Sequence, residues 1–307
     1  MLLEVKNLTK SFNEKEVLKG VSFSASSGSA LGLLGRNGAG KTTTIRIIMQ
    51  LFAPNSGETL IDGKPINIRE TNIGYMPEER GLYPKKKILE QLIYFAELKG
   101  TDRATALARA NKYLERLSMQ EYQNAKLMTL SKGNQQKIQL IATLMCDPDI
   151  VILDEPFSGL DPVNAMLLKD VVRELIAEGK IVLFSSHQMN YIEEFCDSIV
   201  ILNEGKIAVS GTIKDIKRSY THNKVNVFTA EQDKASELLA KADYVDSFEN
   251  TETGVLVALK PDVDKNVLIQ SLIDEKIQFD GVAVYEPSLN DIFVDYTEGN
   301  SEGGDAE

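Results

Sequence analysis

GRNGAGKT, residues Gly35–Thr42, is the stretch on which the fold turns. It matches G-x-x-x-x-G-K-[ST] and sits where a phosphate loop has to sit. The apolar run ALGLLG, Ala30–Gly35, leads into it, and TTTIRIIMQLF, Thr42–Phe52, follows with helical spacing. The order is strand, glycine-rich loop, helix. Glycines let main-chain amides turn inward around phosphate oxygens. The helix start adds partial positive charge. Gly35, Arg36, Asn37, Gly38, Ala39, Gly40 and Thr43 are therefore candidate nucleotide contacts. Lys41 has the reach for β- and γ-phosphates, and the Thr42 hydroxyl for Mg²⁺.

A second element of the same chemistry is VILDEP, Val151–Pro156. An apolar strand delivers Asp154 at its end, where a carboxylate holds Mg²⁺ through water. Glu155 stands one residue further on, placed to orient and polarise an attacking water. Between the two motifs lies LSKGNQQKIQL, Leu130–Leu140. Ser131 reads as a helix N-cap. The crowd of Lys132, Gly133, Asn134, Gln135 and Gln136 behind it exceeds what a cap requires.

Outward from these motifs the chain alternates strands and helices. LLEVKNL and VLKGVSFSA read as opening strands, and NSGETLIDGKPI as a hairpin. Leu89–Met145 is mainly helical. DIVILDEP, KIVLFSS and SIVILNEGKIAVSG then restore strands, separated by the helical AMLLKDVVRELIAEG and MNYIEEFC. The simplest account is an α/β sheet with a helical insertion. Past Lys217–Lys224 the order becomes β-α-β-β-α-β, the ferredoxin-like arrangement. No Lys or Arg follows Gly281, and NSEGGDAE reads as a disordered acidic end. The expected domains are 1–218, with a helical subdomain over about 77–149, a small α+β domain over 224–297, and a tail over 298–307.

The order GRNGAGKT, LSKGNQQK, VILDEP, SGLD, SSH resembles the ATP-binding cassette (ABC) ATPases over roughly the first 220 residues. The resemblance implies a P-loop NTPase core with antiparallel β and helical subdomains. It implies ATP and Mg²⁺ as cofactors, with ATP and water giving ADP and phosphate. Two cassettes face each other head to tail, the chain pairing with itself or a paralogous ATPase. On this likeness Ser131, Lys132, Gly133, Asn134 and Gln135 face the ATP of the opposite chain. Asp161 crosses the dimer interface, His187 senses the γ-phosphate, and Lys41, Glu155 and His187 are the catalytic set. Phe12 matches the aromatic that stacks on adenine, a core phenylalanine being the alternative. Two departures stand out. Glu78, in GYMPEER, replaces the usual Gln that touches Mg²⁺ and water; a carboxylate there can still ligate Mg²⁺ at the nucleotide site, a surface-loop acid being the alternative. LSKGN replaces LSGGQ, with Lys132 for Gly and Asn134 for Gln.

The ending EPSLNDIFVDYT looks like that of ATPases from bacterial sodium-extrusion (Nat-type) and drug or antibiotic-resistance exporters. That likeness implies separate integral membrane permease chains, with this chain on the cytoplasmic face of the cell membrane. The cargo stays open among sodium, antibiotics, peptides and lipids. The rival reading is a soluble ABC ATPase acting on ribosomes or DNA. One cassette rather than two, and a short interval in place of a long coiled coil, stand against it. So does the net charge of −11, which disfavours nucleic acid as a partner. The 307 residues suit about two domains of ~150 each. No membrane span and no signal peptide are expected. The two cysteines, Cys146 and Cys196, carry no metal-type spacing and fit a reducing compartment.

Overall fold

The computed structural model describes residues 1–68, 70–79, 81–186, 188–220 and 223–298. Two compact units emerge: Met1–Ile213 together with the chain from Phe293, and Lys214–Ile292.

The first unit begins with β1 (Leu2–Phe12), β2 (Lys15–Ser26), β3 (Ser29–Gly35), α1 (Lys41–Ile48), β4 (Ser56–Ile61), β5 (Lys64–Pro65) and β6 (Ile73–Met76). The helical stretch resolves into α2 (Ile88–Leu98), α3 (Arg103–Arg116) and α4 (Lys132–Leu144). Then come β7 (Ile150–Asp154), α5 (Pro162–Ala177), β8 (Ile181–Ser185), α6 (Met189–Phe195), β9 (Ser198–Asn203) and β10 (Lys206–Thr212).

Six strands form a sheet in the order β10-β9-β3-β8-β7-β6. All but β10 run parallel. β7 and β8 are buried at every position and β3 at all but its ends. Burial on both faces is why they read as unbroken apolar runs rather than alternating ones. A second, antiparallel sheet has the order β2-β1-β4-β5. Its inner residues Leu3, Val5, Leu8, Leu18 and Val21 share one core with Leu31 and Leu33 of β3, Ile152 of β7 and Ile45, Ile47 and Ile48 of α1. The parallel strands share one direction, so the loops after β3, β6, β7 and β8 emerge at the same edge. That is where open α/β sheets bind ligands.

The helix expected over Thr42–Phe52 stops early, at Ile48. Gln50 takes φ 53, and the Leu51 amide reaches back to the Arg46 carbonyl at 2.9 Å. This is a left-handed helix closure. It releases Phe52 to pack edge-on against Phe12, with ring centroids 5.4 Å apart.

The second unit contains most of α7 (Ile213–Tyr220), then β11 (Lys224–Phe228), α8 (Gln232–Leu239), β12 (Val245–Thr251), β13 (Gly254–Leu259), α9 (Lys265–Asp274) and β14 (Gly281–Val284). Its sheet order, β12-β13-β11-β14 with every neighbour antiparallel, is the ferredoxin-like one. Val225, Val227, Val255 and Val257 form its core with Ala235 and Leu239 of α8 and Leu268 and Leu272 of α9. The last helix, α10 (Leu289–Glu298), contains the division between the units. The expected tail lies outside the described residues beyond Glu298. Among the described residues no helix is long and apolar enough to cross a membrane.

Candidate nucleotide site

The loop between β3 and α1 is shaped by close approach. Gly35 has φ 153, and a Cβ there would come within 2.6 Å of the Leu202 carbonyl. Gly40, at φ 113, caps α1, and a Cβ would strike Leu18 at 2.6 Å. Arg36 to Gly40 turn tightly between them, with the Ala39 amide donating to the Arg36 carbonyl at 3.0 Å. Thr42 and Thr43 lie in the first turn of α1. Lys41 folds over the loop and donates to the Gly35 carbonyl at 2.5 Å and that of Arg36 at 3.4 Å. Burial, the largest influence, lowers its pKa, and the carboxylates of Glu155, Asp154 and Glu78 oppose that shift without cancelling it.

The acids come from neighbouring strand ends. Asp154 closes β7, where its register partner is Ser185 of β8. The Ser185 hydroxyl donates to one Asp154 oxygen, and the Tyr75 hydroxyl stands 3.5 Å from the other. Burial, then the Asp154 charge, push the Tyr75 phenol up to about 12, so it stays a donor at neutral pH. Glu155 is buried and holds φ 51, a backbone region a non-glycine residue rarely occupies. Its amide donates to the Ser185 carbonyl at 2.9 Å, and the Ser186 hydroxyl donates to its Oε2 at 3.2 Å. Such strain persists where surrounding bonds over-determine it, and it collects at functional sites.

Thr42, Glu78 and Asp154 line a single cleft of about 650 Å³ with Arg46, Phe52 and Tyr75. The donors are hard oxygens, the set that Mg²⁺ takes. Glu78 is exposed to this cleft. Phe12 beside it is 44% exposed, not a core residue, and Lys10 lies 5.3 Å from the ring centres of both Phe12 and Phe52.

Ser131–Gln135 do not line this cleft. Ser131 is the exposed N-cap of α4 and accepts from the Asn134 amide at 3.3 Å. Lys132 is exposed. Gly133 is buried, and a Cβ on it would touch Leu160 at 3.4 Å. Asp161 caps α5, accepting from the Asn164 amide at 2.9 Å; that bond leads those holding its pKa below the ordinary value. His187 lies outside the described residues. Sequence reasoning passed over Tyr75, Ser185 and Ser186 as site residues. Ser185 and Ser186 carried a signal, since FSSH places them at the end of a buried strand. Tyr75 carried none, because strand pairing alone brings it near Asp154.

The protein YhaQ of Bacillus subtilis, described as an uncharacterized ABC transporter ATP-binding protein, is 41% identical over 296 residues, covering 96% of this chain and 98% of YhaQ. The chain belongs to the ABC transporter ATP-binding proteins. The ABC transporter family model matches residues 18–158. The model for the C-terminal domain of DrrA1-3-like ATP-binding proteins matches residues 211–297, so the ABC cassette carries a recognised accessory domain. The linearmycin resistance ATP-binding protein LnrL of Bacillus subtilis is 36% identical over 220 residues, 70% of each chain. The dimeric structure of MJ0796, a bacterial ABC transporter cassette, superposes with a TM-score of 0.63 at 25% identity, covering 69% of this chain and 98% of that one.

Proposed function

We propose that this chain hydrolyses ATP as the motor subunit of a bacterial exporter, closing head to tail on a second cassette and driving a separate membrane permease. The observation that carries the reading is the meeting of Thr42, Glu78 and Asp154 in one cleft, with Lys41 and Glu155 on the segments that follow β3 and β7 at the same edge of the parallel sheet. The likeness to LnrL, a resistance protein, supports export over import. The dimeric MJ0796 cassette supports the paired arrangement.

Phosphoryl transfer to water is a matter of positioning and charge. Lys41 and the α1 N-terminus hold the β- and γ-phosphates. Thr42 and Asp154 would hold Mg²⁺, with Glu78 facing it. The ion, when bound, neutralises phosphate charge. Glu155 orients the attacking water and accepts its proton, held in place by Ser186. His187 is assigned a γ-phosphate contact by family likeness. Ser131 and the Gly133 amide, at the N-terminus of α4, face the γ-phosphate of the opposite chain. Asp161 stands beside them at that interface. The permease docks at the helical insertion, where Tyr83 and Tyr94 are exposed on a groove of about 360 Å³.

Purification from detergent-extracted membranes tests the transport part. A multispan membrane protein is expected to accompany the chain, and recovery with ribosomes instead overturns the reading. Phe12 offers a narrower check. Phe12→Ala is expected to raise the KM for ATP about 5- to 150-fold, since base stacking on an aromatic contributes about 1–3 kcal/mol. An unchanged KM removes Phe12 from the site. At Lys132 the exposed ammonium is expected to stay hydrated. Lys132→Gly should therefore leave the KM for ATP within about twofold, against the several-fold rise expected of a lost charged hydrogen bond. A several-fold rise would instead make Lys132 a contact of the trans nucleotide.

A further inference from the structure

We infer that Gln139 is a positioning residue of the ATPase site: its carboxamide holds the Pro77–Glu79 turn and thereby sets where the Glu78 carboxylate stands. This inference rests on the ATPase reading above.

Gln139 lies in the second half of α4 and is 4% exposed. Its Nε2 donates to the Pro77 carbonyl at 2.6 Å and to the Glu79 carbonyl at 3.3 Å. Both partners are carbonyl oxygens, which only accept, so the amide must present its NH₂ group to them. The two carbonyls belong to the residues immediately before and after Glu78. One side chain therefore brackets that residue. Pro77 has no amide hydrogen, which limits how the turn can hold itself.

A core helix does not need a carboxamide at such a point. An apolar chain of equal length would pack there without the cost of desolvating an amide. What the amide adds is a fixed location for the turn. The same face of α4 repeats the device. Gln136 donates to the Glu155 and Pro156 carbonyls at 3.3 and 3.2 Å, and the Thr143 hydroxyl, which donates to the Gln139 carbonyl at 2.9 Å, lies 3.4 Å from the Tyr75 carbonyl. Positions 136, 139 and 143 follow helical spacing, so they share one stripe. That stripe grips the ends of β6 and β7, the strands that deliver Glu78 and Asp154.

The turn is also a thin wall. Tyr75, Pro77 and Gly81 line the cleft that holds Thr42, Glu78 and Asp154. The same three residues also line a second groove of about 300 Å³, with Phe95, Leu98 and Gln139. A shift of the turn toward that groove withdraws Glu78 from the cleft. Because Ser131 caps α4, the helix proposed to meet the opposite chain's nucleotide also sets an acid of its own site.

The test is a double-mutant cycle on the full-length chain, read by steady-state ATP turnover. Gln139→Met removes both donors at nearly constant volume. The expected kcat loss is about 10- to 100-fold, the scale of an ångström-sized misplacement, with KM for ATP little changed. In a Glu78→Ala background the same substitution is expected to add no further loss. Hydrogen exchange without nucleotide is expected to rise in peptides spanning residues 73–87 and to hold in those of β7 and α5. Gln139→Glu, which sets a carboxylate oxygen against the two carbonyls, is the second variant. It carries the same expectations if the methionine variant does not fold. Equal losses with and without Glu78, or a loss with unchanged exchange over 73–87, overturn the role of Gln139 alone. A wild-type chain that hydrolyses no ATP overturns the ATPase reading and this inference with it.

Discussion

Glu155→Gln is expected to lower ATP turnover about 10²- to 10⁴-fold, the usual contribution of a positioned general base. The substitution keeps the shape of the side chain. The Glu155 amide still reaches the Ser185 carbonyl, and the backbone at φ 51 is untouched. The Ser186 hydroxyl, which donates to Oε2 in the wild type, can still donate to the amide oxygen of Gln. What disappears is the negative charge and basicity of the carboxylate, which in the proposed mechanism takes a proton from water. Nucleotide binding should survive, because Lys41 and the loop from Gly35 to Gly40 are unchanged. The ATP-bound dimer should therefore accumulate, and size-exclusion chromatography with ATP should show the chain at twice its monomer mass. Equal turnover in variant and wild type would falsify the assignment of Glu155. A variant that neither hydrolyses nor dimerises would point to a lost binding site instead.

Ser131→Arg carries the second large effect. Ser131 is exposed at the start of α4, and among the described residues its hydroxyl accepts from the Asn134 amide. Loss of that cap costs about 1 kcal/mol. In a cassette of this size that lowers Tm by about 2–4 °C. The dimer should suffer far more. In the proposed head-to-tail dimer an arginine side chain would fill the space that a facing nucleotide needs, so closure is expected to be blocked while each chain stays folded. Turnover should fall at least about 100-fold, because in the proposed dimer only closure completes the site, and a group displaced by an ångström already costs that much. Thermal melting and sedimentation with ATP check the two halves separately. A variant that still dimerises with ATP would remove Ser131 from the interface. One that loses its cooperative melt would show that the cap was structural first.

Much of the site was legible because its chemistry demands particular residues in unbroken runs. A phosphate cradle needs glycines, a lysine and a hydroxyl within eight positions, and GRNGAGKT supplies them. Buried parallel strands must be apolar on both faces, so ALGLLG and VILDEP announced both the sheet and the acids at its edge. The β-α-β-β-α-β order after Lys224 was equally plain and matches the second sheet. The end of α1 was not. Apolar spacing carries on to Phe52, but the turn at Gln50 ends the helix at Ile48. Periodicity records which side chains seek the core, and a left-handed closure leaves no mark in it when glycine is absent.

By itself, then, the sequence of this ABC cassette determined the phosphate loop, the acidic strand end and the order of elements, since each depends on neighbours along the chain. Tertiary structure alone decided that Tyr75 and Ser185 reach Asp154 and that Phe52 meets Phe12. It alone decided that Gln139 grips the carbonyls on either side of Glu78. Those contacts join residues 31 to 79 positions apart through strand register and helix packing. Register and packing angle are set by the whole core at once, so no local stretch can encode them.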